Sequence, residues 1–260
     1  MASVRLEDIK YEITSDLAGQ VHGQSMLDGE IPGASVTVFS LLSGESRHFK
    51  GDRGYIRVLF LCRGDAVFSG RGVEVSYSER AVYTDMPGED ISVISKNGCS
   101  LLEIKWQLIQ SDITELNTKK DRFPFTQAYK DALQYRDPFK SETTISRAII
   151  IHDFIPRFAM GSVEAKGDDL VGQHSHPLLD QFFFSFTEND ADLLIDCRIF
   201  NFKGDTLVHI PLGSNHGVIA RGTQRMHYLW LDFTPASLKN DAVAYLNEVH
   251  KPTGLKEELR

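Results

Sequence analysis

An all-β protein of sandwich or barrel type, built as two similar halves with a few short helices, is what this sequence predicts. Three observations carry that expectation. Most of the chain reads as short apolar runs of strand length separated by Gly, Asp, Asn and Pro turns. The two halves can be laid over one another without gaps in their key parts. The second half also contains H-x-H-x4-Q followed by P-x-G-x-x-H, and strand geometry puts such side chains on a common face.

In the first half the expected strands cover 34–42, 55–62, 72–77, 80–84, 91–95 and 100–108. In the second they cover 146–152, 158–165, 170–176, 181–187, 192–201, 206–210, 216–220 and 225–233. Two stretches carry helical spacing. One runs from Phe125 to Leu133; the other begins near Pro235 and runs to Val249, with Thr234 or Ser237 as cap and Ala244, Leu246 and Val249 facing inward.

The repeat sets Ile56–Leu61 against Asp180–Ser185, Pro87–Ile94 against Leu212–Ile219, and Leu101–Trp106 against Met226–Leu231. This divides the chain into an N-terminal half (1–110), a connector (111–145) and a C-terminal half with a terminal helix (146–260).

His174 and His176 lie two residues apart on a strand and therefore point to the same side. Gln181 follows a short turn and can enter the neighbouring strand facing the same interior. His216 follows a Pro/Gly turn that can re-aim a side chain inward. Three imidazoles and one amide thus form a candidate set for one divalent transition metal: Zn, Fe, Mn or Ni. Asp180 is adjacent to Gln181, so it faces the other side of the strand and is a poorer candidate. In the first half the equivalent positions hold Lys50, Asp52, Arg57 and Ile91. Two cations, one carboxylate and an aliphatic side chain cannot hold a divalent metal, so that half is expected to be structural and is a candidate dimerisation surface.

The two motifs resemble those of the cupin superfamily: His174, His176 and Gln181 in the first, and Gly204-Asp205, Pro211, Gly213 and His216 in the second. The resemblance is specific over 167–234. It implies tandem cupin barrels, that is double-stranded β-helix or jelly-roll folds, with the metal in the C-terminal one. Two departures stand out. Glutamine replaces the usual glutamate, which leaves the site one charge more positive and weakens its hold on a cation. One extra residue between Gly204 and Pro211 predicts a small bulge.

The net charge of −8 argues against nucleic acid and anionic membranes as partners. Cys62, Cys99 and Cys197 are widely spaced with no CxxC, as expected of reduced thiols, and the N-terminal residues show no secretory h-region. A cytoplasmic protein with a small-molecule substrate is the expectation.

With Gln181 inward, Phe183, Ser185 and Thr187 follow it, and Phe182, Phe184 and Phe186 pack outward against another layer. On the last strand Tyr228, Trp230 and Asp232 share one face, and His227, Leu229, Leu231 and Phe233 share the other; the sequence leaves open which is inward. His152, His209 and His227 lie outside the motifs and read as hydrogen-bonded strand histidines. Glu164, Tyr228 and Asp232 are the candidate catalytic groups. Arg147, Arg157 and Lys166 read as surface residues that could alternatively meet a substrate acid.

Resemblance to the uronate ketol-isomerase and ring-opening cupins implies a sugar or sugar-acid isomerase, or a related non-redox reaction with the metal as Lewis acid. A metal-dependent dioxygenase and a non-catalytic small-molecule-binding protein are the alternatives.

Overall fold

Apolar residues on both faces of a strand demand burial on both sides, and the long strands of this chain receive it. The computed structural model describes residues 4–10, 14–15 and 21–242. In strand Tyr55–Gly70, Ile56, Val58 and Phe60 join the largest apolar cluster, while the alternating Leu59 and Leu61 join a second one. That alternation produces the near-continuous apolar run read in the sequence.

The described strands form two large antiparallel sheets and a small pair, Thr14–Ser15 with Val21–His22. The first, of eight strands, runs Phe125–Ala128, Ala81–Thr84, Tyr55–Gly70, Ile91–Gln107, Ala34–Leu41 and Gln24–Met26, with Ser46–Phe49 and Val73–Tyr77 paired to its long strands. The second, of eleven, runs Leu6–Asp8, Thr206–Ile210, Asp180–Ser185, Arg225–Phe233, Phe158–Lys166, Ile145–Ile155 and Leu133–Tyr135. Asp169–His174, His216–Ala220, Asp190–Ile195 and Arg198–Lys203 complete it. Strand Leu6–Asp8 pairs with Thr206–Val208, so the beginning of the chain reaches across to the second sheet.

Three cores follow. One lies inside the first barrel around Leu59, Phe68, Tyr83 and Val93. Another lies inside the second around Phe183, Leu193, Val208 and Tyr228. The largest lies between the barrels, where Phe60 meets Phe186 at 6.0 Å and Trp106 meets Phe233 at 5.1 Å between ring centroids. The Phe182, Phe184 and Phe186 face therefore packs outward as expected. The same core takes Leu229, Leu231 and Phe233, which turns Tyr228, Trp230 and Asp232 toward the lumen.

Several local expectations are corrected. The stretch from Phe125 is not helical: Phe125–Ala128 pairs with Ala81–Thr84, and Tyr129–Asp131 is a single 3-10 turn. Here pairing to an open sheet edge overrides helical spacing. The α-helix lies instead at Gln110–Thr118, a polar stretch whose start is fixed by Asp112 Oδ2 accepting the Ile109 N–H at 3.0 Å. The single strand expected over 192–201 is a hairpin. Asp196 and Cys197 form its two-residue turn with φ of 46° and 65°, the left-handed pair that suits strand twist. The strands expected at 91–95 and 100–108 are one strand, bulged between Ser95 and Cys99. The small bulge expected between Gly204 and Pro211 is absent from the strand pair Asp180–Ser185/Thr206–Ile210, which keeps continuous register. The expected C-terminal helix shows only a 3-10 turn at Ala236–Leu238 and a helical start at 239–242; the rest lies outside the described residues.

Candidate metal centre

His174 ends strand Asp169–His174, His216 opens strand His216–Ala220, and the two are direct cross-strand partners. The short segment that carries His176 is tied to the loop before His216. Gly213, at φ 74°, donates its N–H to the His176 carbonyl at 3.2 Å, and the Ser214 N–H closes a turn on the Pro211 carbonyl at 2.9 Å. Asp196 supports the same loop by accepting the Asn215 N–H at 2.9 Å. Gly217, directly after His216, is required by close approach, since a Cβ there would lie 2.7 Å from the Val171 carbonyl oxygen.

These constraints bring one candidate ligand atom from each of His174, His176 and His216 within 4.8 Å of one another. Among the described residues this is the one such group of three or more. Two of the rings are oriented from behind: Nδ1 of His174 is 2.7 Å from the Gly172 carbonyl and Nδ1 of His216 is 3.1 Å from the Ser214 carbonyl. Each Nδ1 must carry the proton in such a bond, which leaves Nε2 with a free lone pair, the arrangement usual for metal-bound histidine. Burial, together with its histidine neighbours, lowers His176 to about 3. Burial also lowers His216 to about 4, against the raising effect of its bond to Ser214. Both rings are neutral near pH 7, the state in which imidazole binds a metal. The donor set therefore fits a divalent transition metal.

Gln181 is buried and lines the same cavity. Its Nε2 donates to Asp232 Oδ1 at 2.7 Å, so its carbonyl oxygen is the atom left for the cavity. Burial raises the Asp232 carboxyl above its ordinary value, against the lowering influence of His152 and the Gln181 bond. Asp180 points elsewhere and accepts from His209 Nε2 at 2.7 Å.

The cavity has a volume of about 650 Å³. Tyr228 lines it, stacks on Phe183 at 4.9 Å and stays protonated because burial raises its hydroxyl. Trp230 lines it too, seated against Gly161, where a Cβ would come within 2.2 Å of the indole. Glu164 is not among the lining residues. Its carboxylate is held at 3.0 Å by both Arg147 and Arg225. Burial alone would raise it, but His227 and the two arginines keep it below its ordinary value.

Arg147 and Arg157 are buried rather than on the surface. Arg157 meets Asp112 at 2.6 Å and two carbonyls, those of Thr234 and Gln107, and so ties the helix to the second barrel. His209 and His227 are hydrogen-bonded as expected, whereas His152 lines the cavity.

The sequence reading missed the connector's part in the site. Lys140 bridges to Val171, and the Gly172 N–H donates to the Phe139 carbonyl at 2.6 Å. The Phe139 ring stacks on His174 at 4.6 Å and 13°. Tyr135, Asp137 and Lys140 thereby join the lining. The Asp137-Pro138 turn is the only local signal for this fold-back.

Of the equivalent positions in the first barrel, Lys50 and Asp52 are exposed, and Arg57 and Ile91 lie inward. Arg57 pairs with Glu103 at 2.6 Å and donates to the Lys50 carbonyl at 2.9 Å, and Ile91 is buried in the lumen core. A cation–carboxylate pair and packed apolar side chains occupy the space.

No family model matches the chain, and no curated protein does. Solved structures do. A cupin 2 conserved barrel domain protein from Leptotrichia buccalis superposes with a TM-score of 0.59 at 16% identity, over 86% of this chain and 92% of that one. The oxalate decarboxylase of Lactobacillus farciminis gives 0.63 at 15% identity, over 82% and 81%. The oxalate decarboxylase of Bacillus subtilis gives 0.61 at 12% identity, over 87% and 81%. The architecture is the cupin fold. This chain carries it as two jelly-roll barrels in tandem, with the histidine triad in the second.

Proposed function

We propose that the protein is a metal-dependent enzyme catalysing a non-redox reaction on a small oxygenated substrate. His174, His176, His216 and the Gln181 carbonyl oxygen would hold one divalent cation. The observation that carries the reading is the convergence of three imidazoles, two of them oriented by backbone carbonyls, in a cavity that also holds a buried acid. When bound, the metal would supply Lewis acidity toward a substrate oxygen, undiminished by any ligand charge.

The chain's own residues supply the rest. Asp232 accepts the Gln181 amide on Oδ1, which leaves Oδ2 to carry or take a proton inside the cavity. Its raised affinity for a proton suits a group that alternates between acid and base during proton transfer at a carbon next to a coordinated oxygen, as in an isomerisation. Tyr228 stays protonated and can donate a hydrogen bond to a substrate oxygen. Phe183, Trp230 and Val218 exclude water from the wall.

The test is solvent deuterium exchange into candidate hydroxy and keto acids, followed by NMR on protein loaded with a measured equivalent of metal. Exchange without oxygen uptake, lost in Asp232→Asn, is the expected result. Oxygen consumption coupled to turnover would replace this reading with the dioxygenase one.

A further inference from the structure

We infer that Lys140 is the anion-recognition residue of the cavity and that the substrate is a monocarboxylate with an apolar body. This deepens the proposed function, and rests on it only for where the rest of the substrate sits.

Lys140 comes from the connector, and its backbone is fixed against Val171. Its side chain is only 7% exposed, yet it lines the cavity. Burying an ammonium is costly unless partners satisfy it, and this one is only partly satisfied. It has three N–H donors. Asp137 Oδ2 takes one at 2.9 Å. The Tyr135 hydroxyl is 3.4 Å away, beyond the range of a strong bond. Asp137 is itself engaged, since its Oδ1 accepts the Phe139 N–H at 2.9 Å. Donor capacity therefore remains for a ligand oxygen.

Among the lining residues Lys140 is the only Lys or Arg. A substrate with two anionic ends would have one cation besides the metal to meet, and Asp137 and Asp153 also line the space. One carboxylate is the charge this wall can match. Beside its polar groups the cavity presents apolar side chains, among them Ile151, Val163, Val171, Phe183 and Val218. A polyol would lose water from each hydroxyl there without gaining a partner. The volume of about 650 Å³ suits a ring-sized body, and a two-carbon acid would leave most of it to water at about 30 Å³ per molecule.

The probes are 4-ethylbenzoate and its neutral counterpart 4-ethylbenzamide, titrated calorimetrically into zinc-loaded and chelator-treated protein. In the chelated protein no metal competes for the carboxylate, so that arm reads Lys140 directly. The expected result there is binding of the acid about 10- to 100-fold more tightly than the amide, the size of one charge-assisted hydrogen bond. Lys140→Met should abolish that preference and Lys140→Arg should keep most of it. Asp137→Asn, which removes the competing carboxylate, should tighten the acid.

Equal affinities, no binding of either probe, or a preference that survives in Lys140→Met would overturn the inference; survival would assign the anion to the histidines. Should Lys140→Met lose its circular dichroism signature, the wild-type preference and Asp137→Asn decide. Zinc stoichiometry measured on the same samples keeps the two readings separate. Absence of zinc binding removes the metal centre and leaves the chelated arm decisive for Lys140.

Discussion

Gln181 and Asp232 face each other as direct partners on adjacent antiparallel strands, joined by a 2.7 Å hydrogen bond inside the second barrel. The amide at the proposed ligand position and the acid beside it form one hydrogen-bonded unit. A carboxylate thus lies hydrogen-bonded behind the amide of residue 181 rather than at that position itself.

Asp232→Asn should therefore leave zinc affinity within about threefold, because the hydrogen bond to Gln181 can re-form. It should lower deuterium exchange by about 10²- to 10⁴-fold, the usual contribution of a positioned acid or base. Parallel loss of metal would mean that Asp232 only holds Gln181 in place.

Gln181→Glu puts a carboxylate among the ligands and a second acid against Asp232. Metal affinity should rise and turnover at saturating metal should fall, since added negative charge weakens the cation's pull on a substrate oxygen. Competition titration alongside turnover reads both, and unchanged affinity would remove Gln181 from the ligand set.

One metal per chain is expected, because the first lumen is filled by the Arg57–Glu103 pair. Elemental analysis of untagged protein should give close to one equivalent, and His174→Ala/His216→Ala should give none. His176→Ala should abolish activity yet shift the melting temperature by only a few degrees, since sheet pairing and three apolar cores hold the barrels.

Between the barrels His227 is buried and neutral. Its Nδ1 lies 2.6 Å from Glu188, whose carboxylate is also held by Arg80, and its Nε2 is 2.9 Å from the Tyr129 hydroxyl. Burial, with Arg80 adding to it, lowers it to about 4. The folded state thus refuses a proton that the unfolded chain takes up near pH 6.5. Stability is full above about pH 6.5 and falls as the pH drops toward about 4, by up to about 3 kcal/mol. Urea unfolding of wild type and His227→Gln across pH 4–7 should show a shallower slope in the variant. Equal slopes would assign the acid sensitivity to other groups.

Arg157→Met leaves the buried Asp112 with Lys239 at 2.8 Å as its remaining cation. A loss of about 3 kcal/mol in urea unfolding is expected. Asp112→Asn in the same background should recover part of it, and no recovery would point to lost packing against Trp106, over whose ring the guanidinium lies at 4.6 Å.

The sequence by itself determined the parts of this protein that depend on period-two alternation and short motif spacing. His174, His176 and His216 converge as their spacing requires, Gln181 enters the same cavity while Asp180 does not, and the Phe182, Phe184 and Phe186 face packs outward. These relations lie within one strand or across one turn, where local geometry is enough. Tertiary structure alone decided the rest. Which face of Arg225–Phe233 looks inward depended on a core shared with the other barrel, and so did the roles open to Tyr228 and Asp232. Glu164 was drawn away by Arg147 and Arg225, and the residues after Phe125 became a strand because a sheet edge was open to them. Lys140 and Phe139 reached the site only because the connector folds back over residues some thirty positions further along the chain. Contacts of that range carry no periodicity, since each is set by packing between segments whose sequences are independent of one another.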